Sequence, residues 1–167
     1  MVHLDDDAIE VRGLIEELAV QLQSGDPQWT ATLARARTIA DVVADAAVPR
    51  GFRRLGLTGT RWLVASEVYP AKLGARGLAC VRPSDAERDE MGRLIIDELV
   101  QGRFLPATVQ RFQAVIANFA RAGCDAVILG CTEIPLIIGD HNAALPTLDS
   151  TRLLARAALQ RAIEGRA

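Results

Sequence analysis

Apolar residues recur at Ile9, Val11, Leu14, Ile15, Leu18, Ala19 and Leu22, and the spacing from Val11 onward predicts one buried face of a helix over residues 8–23. Ser24-Gly25-Asp26-Pro27 breaks that pattern, with Asp26-Pro27 reading as an N-cap followed by a first-turn proline. A second helix is expected over residues 27–47, closed by Pro49-Arg50-Gly51. Beyond residue 51 the pattern becomes strand-then-helix. Short apolar runs at 53–58, 77–82, 125–130 and 144–148 read as strands, and 125–130 is apolar throughout, as in a strand buried on both faces. Between them, helical patterns cover 61–73, where Pro70 should end or bend the helix, and 84–101, opened by the Ser84/Glu87 capping box. Further helical patterns follow at 106–122, 134–138 and 151–163.

Strands separated by helices pair in parallel through right-handed crossovers. The expected fold is therefore α/β: one four-stranded parallel sheet flanked by helices, with an N-terminal helical pair. The expected division is a helical segment over 1–50 and an α/β domain over 51–167.

Composition narrows the function classes. The 167 residues are 50% hydrophobic and 24% charged, which suits one globular domain and excludes a disordered or low-complexity chain. Apolar runs fall far short of a membrane span. Net charge is −2 with both signs interspersed, so no nucleic acid or membrane partner is expected. Lys72 is the only lysine among the 19 basic residues, leaving almost no candidate for lysine chemistry. The acidic start, Met1 to Asp7, does not read as a signal peptide. Three cysteines without a framework spacing argue against a disulfide scaffold and suggest a cytoplasmic protein.

In an open parallel sheet, ligands bind beyond the carboxyl ends of the strands. Three such ends are rich in hydroxyl, thiol or amide groups: 57–60, 130–133 and 148–151. Cys131 follows the buried strand and precedes a predicted helix, a setting that lowers a thiol pKa. Position alone leaves two readings: a reactive thiol, or a buried structural cysteine. Cys124 and Cys80 read as packing residues. Six residues separate Cys124 from Cys131, which is not a zinc-finger spacing, and no metal site is expected. His141 reads as solvated in a polar loop. No Walker, G-x-G-x-x-G, G-x-S-x-G or H-E-x-x-H motif is present.

The stretch from Ala122 to Leu136, centred on Gly130-Cys131-Thr132-Glu133, resembles the second-cysteine motif of the aspartate/glutamate racemase family, aspartate-racemase branch. Arg54 to Arg61 resembles the strand and G-T turn that open that family's C-terminal domain, and Leu145 to Thr151 its last strand and D-[ST]-T turn. The resemblance covers residues 38–164. It implies half of a two-domain fold and cofactor-independent isomerase chemistry on an amino acid or small dicarboxylate. In the family two cysteines flank the α-carbon, because inversion needs an acid/base group on each face. Carried over, Cys131 is the second of these, Thr132 and Glu133 orient substrate and thiol, and Gly59 and Thr60 help bind a carboxylate. This sequence departs from the pattern in three ways. No cysteine precedes Cys80, the N-terminal G-G-M turn is missing, and Leu63 stands where the family tends to have threonine. The alternative reading is a catalytically inactive carboxylate-binding or interaction domain. A homodimer is expected, because the face that would meet a first domain needs a cover.

Overall fold

The structure is a computed structural model that describes residues 38–164. The expected helix at 8–23, and residues 27–37 of the second expected helix, lie outside the described residues.

Thr38 starts the described chain in extended backbone and caps α1 (Ile39–Ala47). Its hydroxyl accepts from the Asp41 amide at 3.2 Å, and the Asp41 carboxylate accepts from the Thr38 amide at 2.9 Å. That reciprocal box starts a helix at Ile39, so the expected unbroken helix over 27–47 is corrected. Ala40, Val43, Ala44 and Ala47 of α1 are fully buried against the sheet, placing α1 in the same compact unit as the strands.

Four strands form one sheet: β1 (Arg54–Thr58), β2 (Ala79–Val81), β3 (Ala126–Leu129) and β4 (Thr147–Asp149). All pairings are parallel and the order is β2-β1-β3-β4. This is the expected α/β sheet. The register sets Thr58 beside Leu129, so β1 and β3 end together. Asp125 fixes that register by accepting from the Arg53 amide at 2.7 Å and the Arg54 amide at 3.2 Å.

Period-two alternation splits the core between the two sheet faces. Val127 and Leu129 meet α4 (Asp85–Leu94) and α5 (Pro106–Arg121) through Met91, Phe112, Ile116 and Phe119. Leu55, Leu57, Ala126, Ile128 and Leu148 meet α1 and the β1–β2 crossover through Val64, Tyr69 and Leu73. Gly56 is small because a Cβ there would lie 2.5 Å from the Phe119 ring.

The crossover is two helices, α2 (Arg61–Ala65) and α3 (Val68–Gly74), where one bent helix is expected. Ser66 and Glu67 separate them, which leaves Pro70 in the first turn of α3, where its missing N–H costs no helical bond. The capping box at Ser84 and Glu87 opens α4 as expected, but the helix widens to a π turn over Ile95–Leu99. The expected helix after Cys131 is one 3-10 turn, Ile134–Leu136. The last helix, α6, spans Ser150–Glu164. Among the described residues, no helix is long and apolar enough to cross a membrane.

Candidate active site

The strand order supplies what the sequence pattern could not. From β1 the chain moves outward to β2, then crosses back over β1 to β3 and continues outward to β4. The direction reverses between β1 and β3, and the crevice at the carboxyl ends of such a pair is where open α/β sheets bind ligands. Gly59-Thr60 leaves β1 at that point, and Gly130-Cys131-Thr132-Glu133 leaves β3. The five residues singled out in the sequence thus lie on two adjacent strand ends.

The two glycines permit this proximity. Gly130 donates its amide to the Thr58 carbonyl at 3.0 Å, and a Cβ on Gly130 would fall 2.6 Å from that oxygen. Gly59 has φ 154°, and a Cβ there would lie 3.2 Å from the Gly130 carbonyl oxygen. Ser150 fixes the floor by donating its hydroxyl to the Leu129 carbonyl at 2.7 Å. Thr58 does the same to the Ile128 carbonyl at 2.7 Å.

Thr60 is the N-cap of α2, its hydroxyl oxygen accepting from the Leu63 amide at 3.4 Å. Cys131 is half-buried and donates its Sγ hydrogen to Glu133 Oε2 at 2.6 Å. Thr132 is exposed and donates to Glu133 Oε1 at 2.6 Å. Both carboxylate oxygens of Glu133 are engaged from its own turn. These bonds, the one from Cys131 first, hold the Glu133 carboxyl below its usual range. The same contact works the other way on sulfur. Burial, then the Glu133 hydrogen bond, pushes the Cys131 thiol up to about 11.

This corrects the expectation of a lowered thiol pKa. A three-residue 3-10 turn aligns too few peptide dipoles to stabilise a thiolate, and a carboxylate sits against the sulfur. Cys124 is buried, and Cys80 is half-buried in β2 with its thiol raised to about 11 by burial. His141 is exposed.

Leu63 is a feature the motifs did not single out as part of the site. Its Cδ2 methyl lies 2.9 Å and 2.8 Å from the points where Cβ atoms of Gly59 and Gly130 would stand. It therefore covers both strand ends with an apolar group. Only the departure at this position marked it in the sequence; its contact with Gly130 depends on the β1–β3 pairing. Asp149, at the third strand end, is engaged as the cap of α6, accepting from the Arg152 amide at 3.0 Å. Among the described residues, no group of His, Cys, Asp and Glu is placed to hold a metal ion.

The fold and site define a class: a parallel α/β domain with a cysteine–glutamate pair at the point where the strand order reverses. The family model for Asp/Glu/Hydantoin racemase matches residues 36–158, and the chain belongs to that family. A crystal structure from Yersinia pestis, described as a candidate Asp/Glu racemase, is 31% identical with a TM-score of 0.72; the match covers 75% of this chain and 55% of that one. An aspartate racemase homologue from Pyrococcus horikoshii is 30% identical with a TM-score of 0.69, over 74% of this chain and 54% of that one. A Pectobacterium carotovorum protein encoded in the pnlA 3′ region, described as uncharacterized, is 27% identical over 109 residues, covering 65% of this chain and 71% of that protein. The chain thus spans about half the length of the solved structures it matches.

Proposed function

We propose that the chain carries one half of a racemase-type site, with Cys131 as the single acid/base group acting at the α-carbon of an acidic amino acid. The observation that carries this reading is the Cys131–Glu133 hydrogen bond at the strand reversal point. Loss of the thiol proton to water gives a thiolate, which takes the α-proton as the Cα–H bond breaks and its electron pair passes into the substrate carboxyl. Return of a solvent-derived proton along the same path restores the original enantiomer. One base on one face therefore gives exchange without inversion. Thr132 and Glu133 orient the thiol, and Gly59 and Thr60 border the place of the substrate carboxylate. The reaction needs no cofactor in this scheme. The three free cysteines fit a reducing, cytoplasmic setting.

Incubation with each aspartate enantiomer in deuterium oxide tests this. Deuterium is expected at the α-carbon of one enantiomer without loss of optical purity, and Cys131→Ser should abolish it. Full racemisation by the isolated chain would mean a second base is present. No exchange of either enantiomer would discard the catalytic reading.

A second reading has its own observation. Leu63 offers a methyl group to both strand ends where a hydroxyl could have donated to a carboxylate, and the resting thiol is protonated. Both features suit a domain that holds a small carboxylate weakly without turning it over. Binding of aspartate with no exchange, tightened in Leu63→Thr, would favour this reading.

We further propose a homodimer. Among the described residues, α6 exposes Leu154, Leu159 and Ile163, and the site rim exposes Trp62 and Leu136. Such apolar exposure is commonly covered by a second copy in soluble proteins.

A further inference from the structure

A pocket of about 390 Å³ opens on the β4 side of the sheet; its lining includes Leu129 and Pro135, on either side of the Gly130–Glu133 turn, but not Cys131. Its wall includes Leu129 and Leu148, both almost fully buried, and its charged groups are Arg50, Arg152, Arg156, Asp140, Asp149 and the imidazole of His141. Three guanidiniums thus face two carboxylates in a chain whose net charge is −2. The carboxylates already have structural duties. Asp140 accepts from the Thr147 amide and from the Thr147 hydroxyl, both at 2.7 Å. Asp149 caps α6 and pairs with Arg152 Nε at 3.4 Å. Asp140 also feels the charges of Arg50 and His141, although no ion pair forms. Among the described residues, no carboxylate is in ion-pair contact with the guanidinium of Arg50 or of Arg156.

We propose that this pocket binds a small, multiply charged oxyanion through Arg50 and Arg156, beside the turn that carries Cys131 but without using the Cys131 thiol. Guanidinium groups match the planar, divergent acceptors of carboxylate and phosphate. The volume is in the range of small-molecule sites and exceeds what a single inorganic ion fills. The chemistry is shared by phosphate-bearing metabolites and small dicarboxylates. Two guanidiniums in one concave wall, without an ion-pair partner among the described residues, favour a ligand with two negative groups over a monoanion.

Calorimetric titration of the full chain at low ionic strength, with inorganic pyrophosphate and with succinate, tests the site. Sodium chloride at matched ionic strength is the control. Saturable binding of one anion per chain is expected, with the tighter of the two probes assigning phosphate or dicarboxylate chemistry. Arg50→Gln with Arg156→Gln should weaken it by about tenfold or more. Both side chains are exposed, so the variant should keep its melting temperature. Arg156→Gln alone should weaken binding by a smaller factor and serves if the double variant is unstable. Cys131→Ser should leave binding unchanged, since the thiol is not part of the lining. Unaltered affinity in the arginine variants, loss of binding in Cys131→Ser, or a response reproduced by sodium chloride would overturn the proposal.

Discussion

At Cys131 the resting proton stays on sulfur because burial and the Glu133 carboxylate both disfavour the thiolate. Removing the negative acceptor should therefore release the thiol. In Glu133→Gln, iodoacetamide labelling of Cys131 at pH 8.5 is expected to rise by about threefold or more, read by mass mapping. In the wild-type chain labelling should be slow at neutral pH and climb toward pH 11, following the raised value. Slower labelling in Glu133→Gln would show that the carboxylate activates the thiol instead. Cys131, Thr132 and Glu133 were legible as a motif because they are contiguous in sequence. The direction of the thiol shift was not, because it depends on how many turns follow the strand and on where the Glu133 side chain folds back. Leu63 shows the same limit: three residues past the G-T turn, it acquires its meaning only when Gly130, 67 residues further along the chain, arrives at the end of the neighbouring strand.

Three strands were legible because short apolar runs bounded by glycine and proline leave few alternatives; the fourth, expected at 144–148, runs instead over Thr147–Asp149, past Pro146. Their order was not, because pairing across the sheet leaves no local trace in the sequence. Gly56 is an example, reading as a weak point in a strand until Phe119 of α5 is seen against it. Gly56→Ala should lower the chemical-denaturation stability by about 1–3 kcal/mol, since the ring base has little room to retreat. Helix α1 is held to α3 by charge as well as by its alanines. Asp41, 7% exposed, meets Lys72 Nζ at 3.2 Å and Arg76 Nη1 at 3.1 Å. Burial alone would raise the Asp41 carboxyl, but the Thr38 hydroxyl and amide, then Lys72 and Arg76, override it and hold the carboxyl well below the usual range. A carboxyl depressed in the folded chain contributes stability above its unfolded value of about 3.9, and that contribution is lost as pH falls toward the folded value. The urea midpoint should therefore drop between pH 6 and pH 3, and less steeply in Asp41→Asn. An equal slope in the two proteins would remove Asp41 from the acid response.

The molecule as described is one sheet with helices on both faces, and its surface is uneven. Leu159 is 63% and Ile163 is 64% exposed on α6. Light scattering at micromolar concentration should give twice the chain mass, and Leu159→Glu with Ile163→Glu should return it to one chain. A single-chain mass for the wild type at every concentration would end the dimer proposal. The two outer strands, β2 and β4, are only three residues long. So short a ladder gives an incoming strand few backbone hydrogen bonds, and growth of cross-β fibres from either rim is disfavoured. If the protein precipitates when destabilised, the route runs through its apolar helical surface. Such deposits should dissolve in mild detergent and leave amyloid dyes dark.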